Sequence, residues 1–296
     1  MSVKDLAYEL LAFAGRRQSL ERLHSLGDVL GRVMWFGLPT RRKLATRSAT
    51  LHLSLPKQEA EKVARASFGH AARSFCEIMA AGTADWRFLS ERVRVAEPEL
   101  LRLAKTTDRP VLFATGHLGA WELQSSIFNH FQGKEHNVVV RRSKDQAMNM
   151  AMHRLRSRPG LSVLPHRNAV RPVLRSFRKG GMCAMLVDHN CTRDEALFLP
   201  FLGMSAAVNF GPALLAVRGD ALVMPSALVR EGDGYVQRFL EPLDTRELQG
   251  DRQERISQTA SFYTRAVESL VRQYPRQWFW MHRRWKTRPP EEGQKG

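Results

Sequence analysis

Val111-Leu112-Phe113-Ala114-Thr115-Gly116-His117 is the stretch on which the reading of this chain turns. Five uncharged residues followed by glycine predict a short buried strand, and His117 falls just past its end. Working outward, similar apolar runs recur at Val138–Val140, Leu161–Leu164, Met182–Val187 and Ala221–Met224, separated by helix-like segments. Runs of this kind predict strands buried on both faces and joined by crossover helices. The expected fold is therefore α/β, a mixed, mostly parallel sheet flanked by helices. A hairpin is expected around Glu231–Gly234, and a polar helix over about 251–273. Upstream, the spacing is helical with little β signal, and Leu20, Leu23, Leu26, Val29, Leu30 and Val33 fall on one face. These patterns divide the chain into an N-terminal helical, membrane-associating region (1–105), an α/β core (106–288) and a disordered tail (289–296). With no internal repeat and no low-complexity linker, the first two are expected to pack as one unit.

At 296 residues and 43% hydrophobic, the chain can bury a sizeable core. Lys and Arg total 46 against 29 acids, and the resulting charge of +17 calls for an anionic partner: a membrane, a nucleic acid or an acidic protein. The cysteines, Cys76, Cys183 and Cys191, form no C-x-x-C pair and are odd in number, which suits a reducing, cytosol-facing protein without a zinc or disulfide framework. Neither Leu10–Gly15 nor Val33–Pro39 approaches the ~20 apolar residues that span a bilayer, and no cleavage site marks a secretory signal. Such apolar stretches, flanked by Arg and Lys, either lie on an anionic membrane surface or pack on the protein's own core.

In parallel α/β sheets, ligand sites gather where strands end. Gly116 permits a tight turn there, and a helix-like run over 118–131 carries Glu122 close to His117. An imidazole with an ordinary pKa of about 6.5 can take a proton from an attacking hydroxyl, and a carboxylate in reach fixes its tautomer. Alone, H-x-x-x-x-E more often describes a structural histidine capping a helix with a glutamate exposed nearby. No second histidine stands at ligand spacing from His117, so a metal site is not expected. No Gly-x-Ser-x-Gly accompanies it either, which disfavours a covalent hydrolase.

The blocks Gly116–Glu122, Arg154–Ser157, Arg178–Gly181, Val187–Asn190, Leu199–Gly203 and Trp278–Pro289 appear in the order found in the bacterial lipid A late acyltransferases, a family the chain resembles over about 105–290. That resemblance implies transfer of a fatty acyl chain from acyl carrier protein to a hydroxyl of a lipid A precursor, at the cytoplasmic face of the inner membrane of a Gram-negative bacterium. It implies no cofactor beyond the acyl carrier protein co-substrate. By position, His117 and Glu122 match the family's catalytic pair and Arg154 a catalytically important basic residue. Arg167 matches an arginine for an anionic headgroup. Gly116, Arg156 and Asp188 fall in matched blocks and are expected at the substrate, with no role assigned to Asp188. The acidic residue after four positions is glutamate, which favours the lipid A branch over glycerolipid acyltransferases.

Trp278, Trp280 and Trp285, interleaved with Arg283 and Arg284, suit a membrane interface; core packing with snorkelling arginines is the alternative. The positive charge would then meet acyl carrier protein, lipid phosphates and an anionic leaflet. Two other functions compete: an acyltransferase for a glycerolipid or another glycolipid, and a basic nucleic-acid-binding protein. No zinc-finger, RNP or zipper pattern supports the latter, and no nucleic acid partner is expected.

Overall fold

The computed structural model describes residues 19–81, 91–125, 133–141 and 161–290, with Phe128, Phe131, Asn149, His153 and Arg156 between them. The expected tail at 291–296 and the apolar run Leu10–Gly15 lie outside the described residues. The chain opens with three helices, α1 (Leu20–Gly37), α2 (Pro39–Leu53) and α3 (Lys57–Ala81), followed by β1 (Val93–Val95) and α4 (Pro98–Thr106). Then come β2 (Val111–Thr115), β3 (His136–Val140), β4 (Leu161–Pro165), α5 (Val170–Phe177), β5 (Met182–Leu186), β6 (Ala196–Phe201), β7 (Met204–Asn209), α6 (Gly211–Arg218), β8 (Leu222–Glu231), β9 (Gly234–Phe239), β10 (Leu243–Asp244) and α7 (Arg252–Gln273).

The main sheet runs β1-β9-β8-β2-β5-β3-β4, with β10 against the start of β8. Pairing is parallel from β8 through β4 and antiparallel where β8 meets β9 and β10, so the sheet is mixed and mostly parallel as expected. Alternation along β2 explains its unbroken apolar run. Leu112 and Ala114 enter the core that holds Tyr263 and Val267 of α7, while Val111 and Phe113 enter a second core with Leu100, Leu101 and Ala104 of α4. The expected hairpin joins β8 to β9, Glu231 pairing with Gly234. The polar helix is α7, begun by a capping box in which Asp251 accepts from the Glu254 amide at 2.9 Å and Glu254 accepts from the Asp251 amide at 2.8 Å. A second hairpin, β6–β7, was not anticipated.

Two expectations change at the N-terminal and C-terminal ends. The apolar residues assigned to one face of α1 divide: Leu20 and Leu23 are buried, whereas Leu26, Val29, Leu30 and Val33 are exposed. The buried face runs instead through Gly27 and Gly31, where an added Cβ would stand 2.7 Å from Arg73 and from Gly69 of α3, so the two helices approach backbone to backbone. At the other end, Trp278, Trp280 and Arg284 are 0%, 1% and 1% exposed and cannot face a bilayer. Their indole N–H groups and one arm of the guanidinium find partners inside. Trp280 donates to the Pro275 carbonyl at 2.8 Å, and Arg284 donates to the Ala207 carbonyl at 2.6 Å with its guanidinium 5.1 Å from the Phe201 ring. Trp285 is half-buried and stacks on His52, which leaves Arg283 as the exposed member of that group. No described helix is long and apolar enough to cross a membrane.

Candidate active site

The register of β2 against β5 sets the site. Thr115 stands opposite Leu186, and the Val187 amide donates to the Thr115 carbonyl at 2.8 Å. The second residue after each member of that pair is His117 on one strand and Asp188 on the other, so adjacent parallel strands deliver an imidazole and a carboxylate to the same sheet edge. His117 Nδ1 lies 2.7 Å from Asp188 Oδ1. Asp188 Oδ2 accepts from the His117 backbone amide at 2.7 Å and from the Trp278 indole at 2.8 Å. Gly116 is needed at the turn because an added Cβ would crowd Asp188 Oδ2 at 3.0 Å.

The electrostatics follow from this enclosure. Burial would raise the Asp188 carboxyl, but His117, together with the hydrogen bond from its ring and that from the Trp278 indole, holds it well below the usual carboxylate range. Burial would lower the His117 pKa; the facing Asp188 carboxylate outweighs it and holds the imidazole above its ordinary value. With Nδ1–H directed at Asp188, Nε2 is the ring's basic nitrogen. Nearby His282 and His189 are each pushed down to about 4, chiefly by burial, and stay neutral near pH 7.

The orienting carboxylate is thus Asp188, where the sequence pointed to Glu122. Both Glu122 oxygens are taken by Arg156, whose Nε donates to Oε2 at 3.0 Å and Nη2 to Oε1 at 2.7 Å. The reason is local structure. Instead of a helix from 118, Leu118 bridges Trp278 in antiparallel fashion, Gly119 bridges Leu228, and turns follow. The same bridges help leave the amides of this loop without a free N–H for a substrate oxyanion. His117 donates to Asp188, Leu118 to the Gly116 carbonyl at 2.7 Å, Gly119 to the Gln277 carbonyl at 3.1 Å and Ala120 to the Leu228 carbonyl at 2.7 Å. All four are committed.

Arg154 lies outside the described residues. Arg167 is exposed in the turn after β4, three strands from β2, or about 14 Å at ordinary strand spacing, so the structure does not bring it to His117. Among the described residues no cluster of His, Cys, Asp and Glu is arranged to hold a metal ion. A largely apolar groove of about 400 Å³ lies nearby, lined by Met34, Leu38, Phe75, Phe279, Met281 and His282 with Arg41 and Arg283. The rings of Phe279 and His282 stand 6.1 and 6.2 Å from that of His117.

The sequence pattern of bacterial lipid A biosynthesis acyltransferases matches residues 21–287. The chain belongs to that family. The acyltransferase is 25% identical to the lipid A biosynthesis palmitoleoyltransferase of Escherichia coli over 97% of this chain and 89% of that one. It is 24% identical to the lauroyltransferase of the same organism, over 90% and 86%. A phosphatidylinositol mannoside acyltransferase of Mycolicibacterium smegmatis is also 24% identical, over 78% and 74%.

Sequence reasoning named Asp188 without a role and placed Trp278 at a membrane. The signal for their partnership was the equal offset of His117 and Asp188 from their strand ends, which becomes legible only once β2 and β5 are known to be neighbours. Gly119 completes the loop. Its φ is +63°, and a Cβ there would stand 2.2 Å from the Leu228 carbonyl oxygen. Gly119→Ala in the acyltransferase is expected to lower stability by at least about 1–3 kcal/mol, read as a lower Tm, with activity falling as the His117 loop shifts.

Proposed function

We propose that the enzyme moves a fatty acyl chain from the thioester of an acyl carrier protein to a hydroxyl of a lipid A precursor, working peripherally at the cytoplasmic face of the inner membrane. The observation that carries this reading is the His117–Asp188 couple beside an apolar groove, in a chain of this family. His117 Nε2 takes the proton of the acceptor hydroxyl as its oxygen attacks the thioester carbonyl carbon. Asp188 stabilises the imidazolium that forms. The tetrahedral intermediate collapses with cleavage of the C–S bond, and the imidazolium returns its proton to the departing thiolate. No acyl-enzyme forms, and the balance requires no cofactor.

The developing oxyanion needs a donor other than the loop amides, which are occupied. Arg156 fits that need: its guanidinium is clamped by Glu122 close enough to His117 that both charges act on the imidazole. Glu122 in this reading acts through Arg156, as a positioning residue. Arg156→Lys keeps the charge but loses the fork, and kcat is expected to fall about tenfold to a hundredfold. The position of the acidic limb of the pH–rate profile should stay nearly fixed, in contrast to Asp188→Asn.

The direct test presents labelled acyl carrier protein with a lipid A precursor, a glycerol phosphate and a phosphatidylinositol mannoside in parallel. Preferred acylation of the lipid A precursor is expected. A second reading, another glycolipid as acceptor, is favoured by the similarity to the mannoside acyltransferase. Mass spectrometry of lipid A from cells with and without the gene separates the two, because an unchanged acyl count removes lipid A as the acceptor.

A further inference from the structure

The three sides of α1 have different chemistry. One side packs on α3 through Gly27, Gly31 and Trp35. A second is polar, with Asp28 paired to Arg73 at 2.6 and 2.7 Å. The third carries Leu26, Val29, Leu30, Val33 and Phe36, spaced to fall on one side of a helix and all exposed, Val33 by 61% and Phe36 by 67%. A contiguous row of large apolar side chains on an outer helix marks a contact surface, since scattered single residues are the norm. Arg41, Lys43 and Arg47 stand exposed on the next helix. Leu38, also exposed, follows at the end of the helix and lines the groove together with Phe279 and His282, whose rings stand beside that of His117.

We propose that α1 lies in the plane of an anionic lipid bilayer, with Leu26, Val29, Val33 and Phe36 sunk below the headgroups, so that the groove opens at the membrane surface and admits the acceptor lipid from the side. The first part stands on the surface alone, and the second rests on the acyltransfer reading above. A second copy of the chain is disfavoured as the occupant: pairing the two rows would bring the arginine and lysine flanks of α2 together in molecules that already carry +17 each. An anionic leaflet satisfies both features, because apolar side chains sink while cations pair with lipid phosphate. With one polar side and another packed on α3, the helix is too short and too polar to span a bilayer, so it lies along the surface.

The test is flotation of the full chain with vesicles, which needs no acyl transfer and so fails independently of the enzymatic reading. Phosphatidylglycerol vesicles are expected to carry the protein up the gradient, phosphatidylcholine vesicles far less, and added salt to weaken the binding. Val33→Glu with Phe36→Glu should reduce the bound fraction by at least about tenfold while leaving Tm unchanged, since both side chains face solvent. Absence of flotation, or flotation that survives the double substitution, overturns the proposal. So does a dimer in solution that the same substitutions dissolve, which would assign the row to a second copy. For lateral admission, Leu38→Glu should raise KM for a bilayer-embedded acceptor more than for a detergent-dispersed one, and equal effects would overturn that part.

Discussion

Purified His117→Ala protein will fold, with a lower Tm because buried Asp188 loses its ring partner, and will lose acyl transfer by about 10²- to 10⁴-fold, the usual worth of a positioned general base. Asp188→Asn should cost a comparable amount and is the more informative substitution, because it alters the histidine without removing it. Asp188 accepts from His117 Nδ1 at 2.7 Å and keeps the imidazole pKa above its ordinary value. A base works in its deprotonated form, so activity rises as pH climbs through that raised pKa. Without the carboxylate the pKa falls, and the acidic limb of the kcat/KM profile will move to lower pH even as the plateau drops. A profile that stays in place after Asp188→Asn would show that Asp188 does not face the working imidazole.

The second large effect is on folding. Arg230 and Glu77 form a buried ion pair with Nη2–Oε2 at 2.6 Å, their side chains 4% and 0% exposed. Tyr235 and His24 add bonds to Glu77 at 3.0 and 2.8 Å, and Arg230 also donates to Ser74 at 2.8 Å. Removing one partner strands the other, so Arg230→Met should cost about 3–5 kcal/mol in urea unfolding, while Arg230→Met with Glu77→Leu should recover much of it. Burial would raise the Glu77 pKa, but Arg230 and His24 bring it down to about 2. A carboxyl whose folded pKa lies below its unfolded value of 4.5 stabilises fully above that value, and the contribution fades as pH falls toward about 2. His70, pushed down to about 3 by burial and by Arg230, binds a proton more readily in the unfolded chain and adds to the acid sensitivity.

These two effects meet at one loop. Ser74 donates to the Gly119 carbonyl at 2.9 Å, and Gln277 bonds both backbone groups of Arg230 while its own carbonyl accepts from Gly119. The buried pair therefore braces the strand end that presents His117.

Periodicity and length revealed β2 to β5, the start of β8, its hairpin with β9, and α7, because each buries an apolar pattern that local residues impose. The α/β class followed. What the sequence withheld is relational. Nothing in Val111–His117 says that β5 is the neighbouring strand, so the H-x-x-x-x-E spacing drew attention to Glu122 while the carboxylate that contacts the ring sits far along the chain. The non-helical geometry at Leu118 and Gly119 comes with bridges to Trp278 and Leu228, tertiary contacts that override a helical pattern. The C-terminal tryptophans misled for a related reason. Indoles beside arginines look alike at a membrane and in a core, and only the acceptor each N–H finds distinguishes them. The exposed row on α1 was hidden inside a single apolar face, since spacing does not show which part of a wide stripe the neighbouring helix covers.

Two bonds have a meaning in time. Because Trp278 supplies a hydrogen bond to Asp188 and Gln277 pins Gly119, a growing polypeptide has made its histidine and its aspartate long before it makes the residues that lock them. Competence is thereby deferred until Trp278 has been made, and a chain released at a stop before it would carry His117 and Asp188 but lack the clamp that holds them ready.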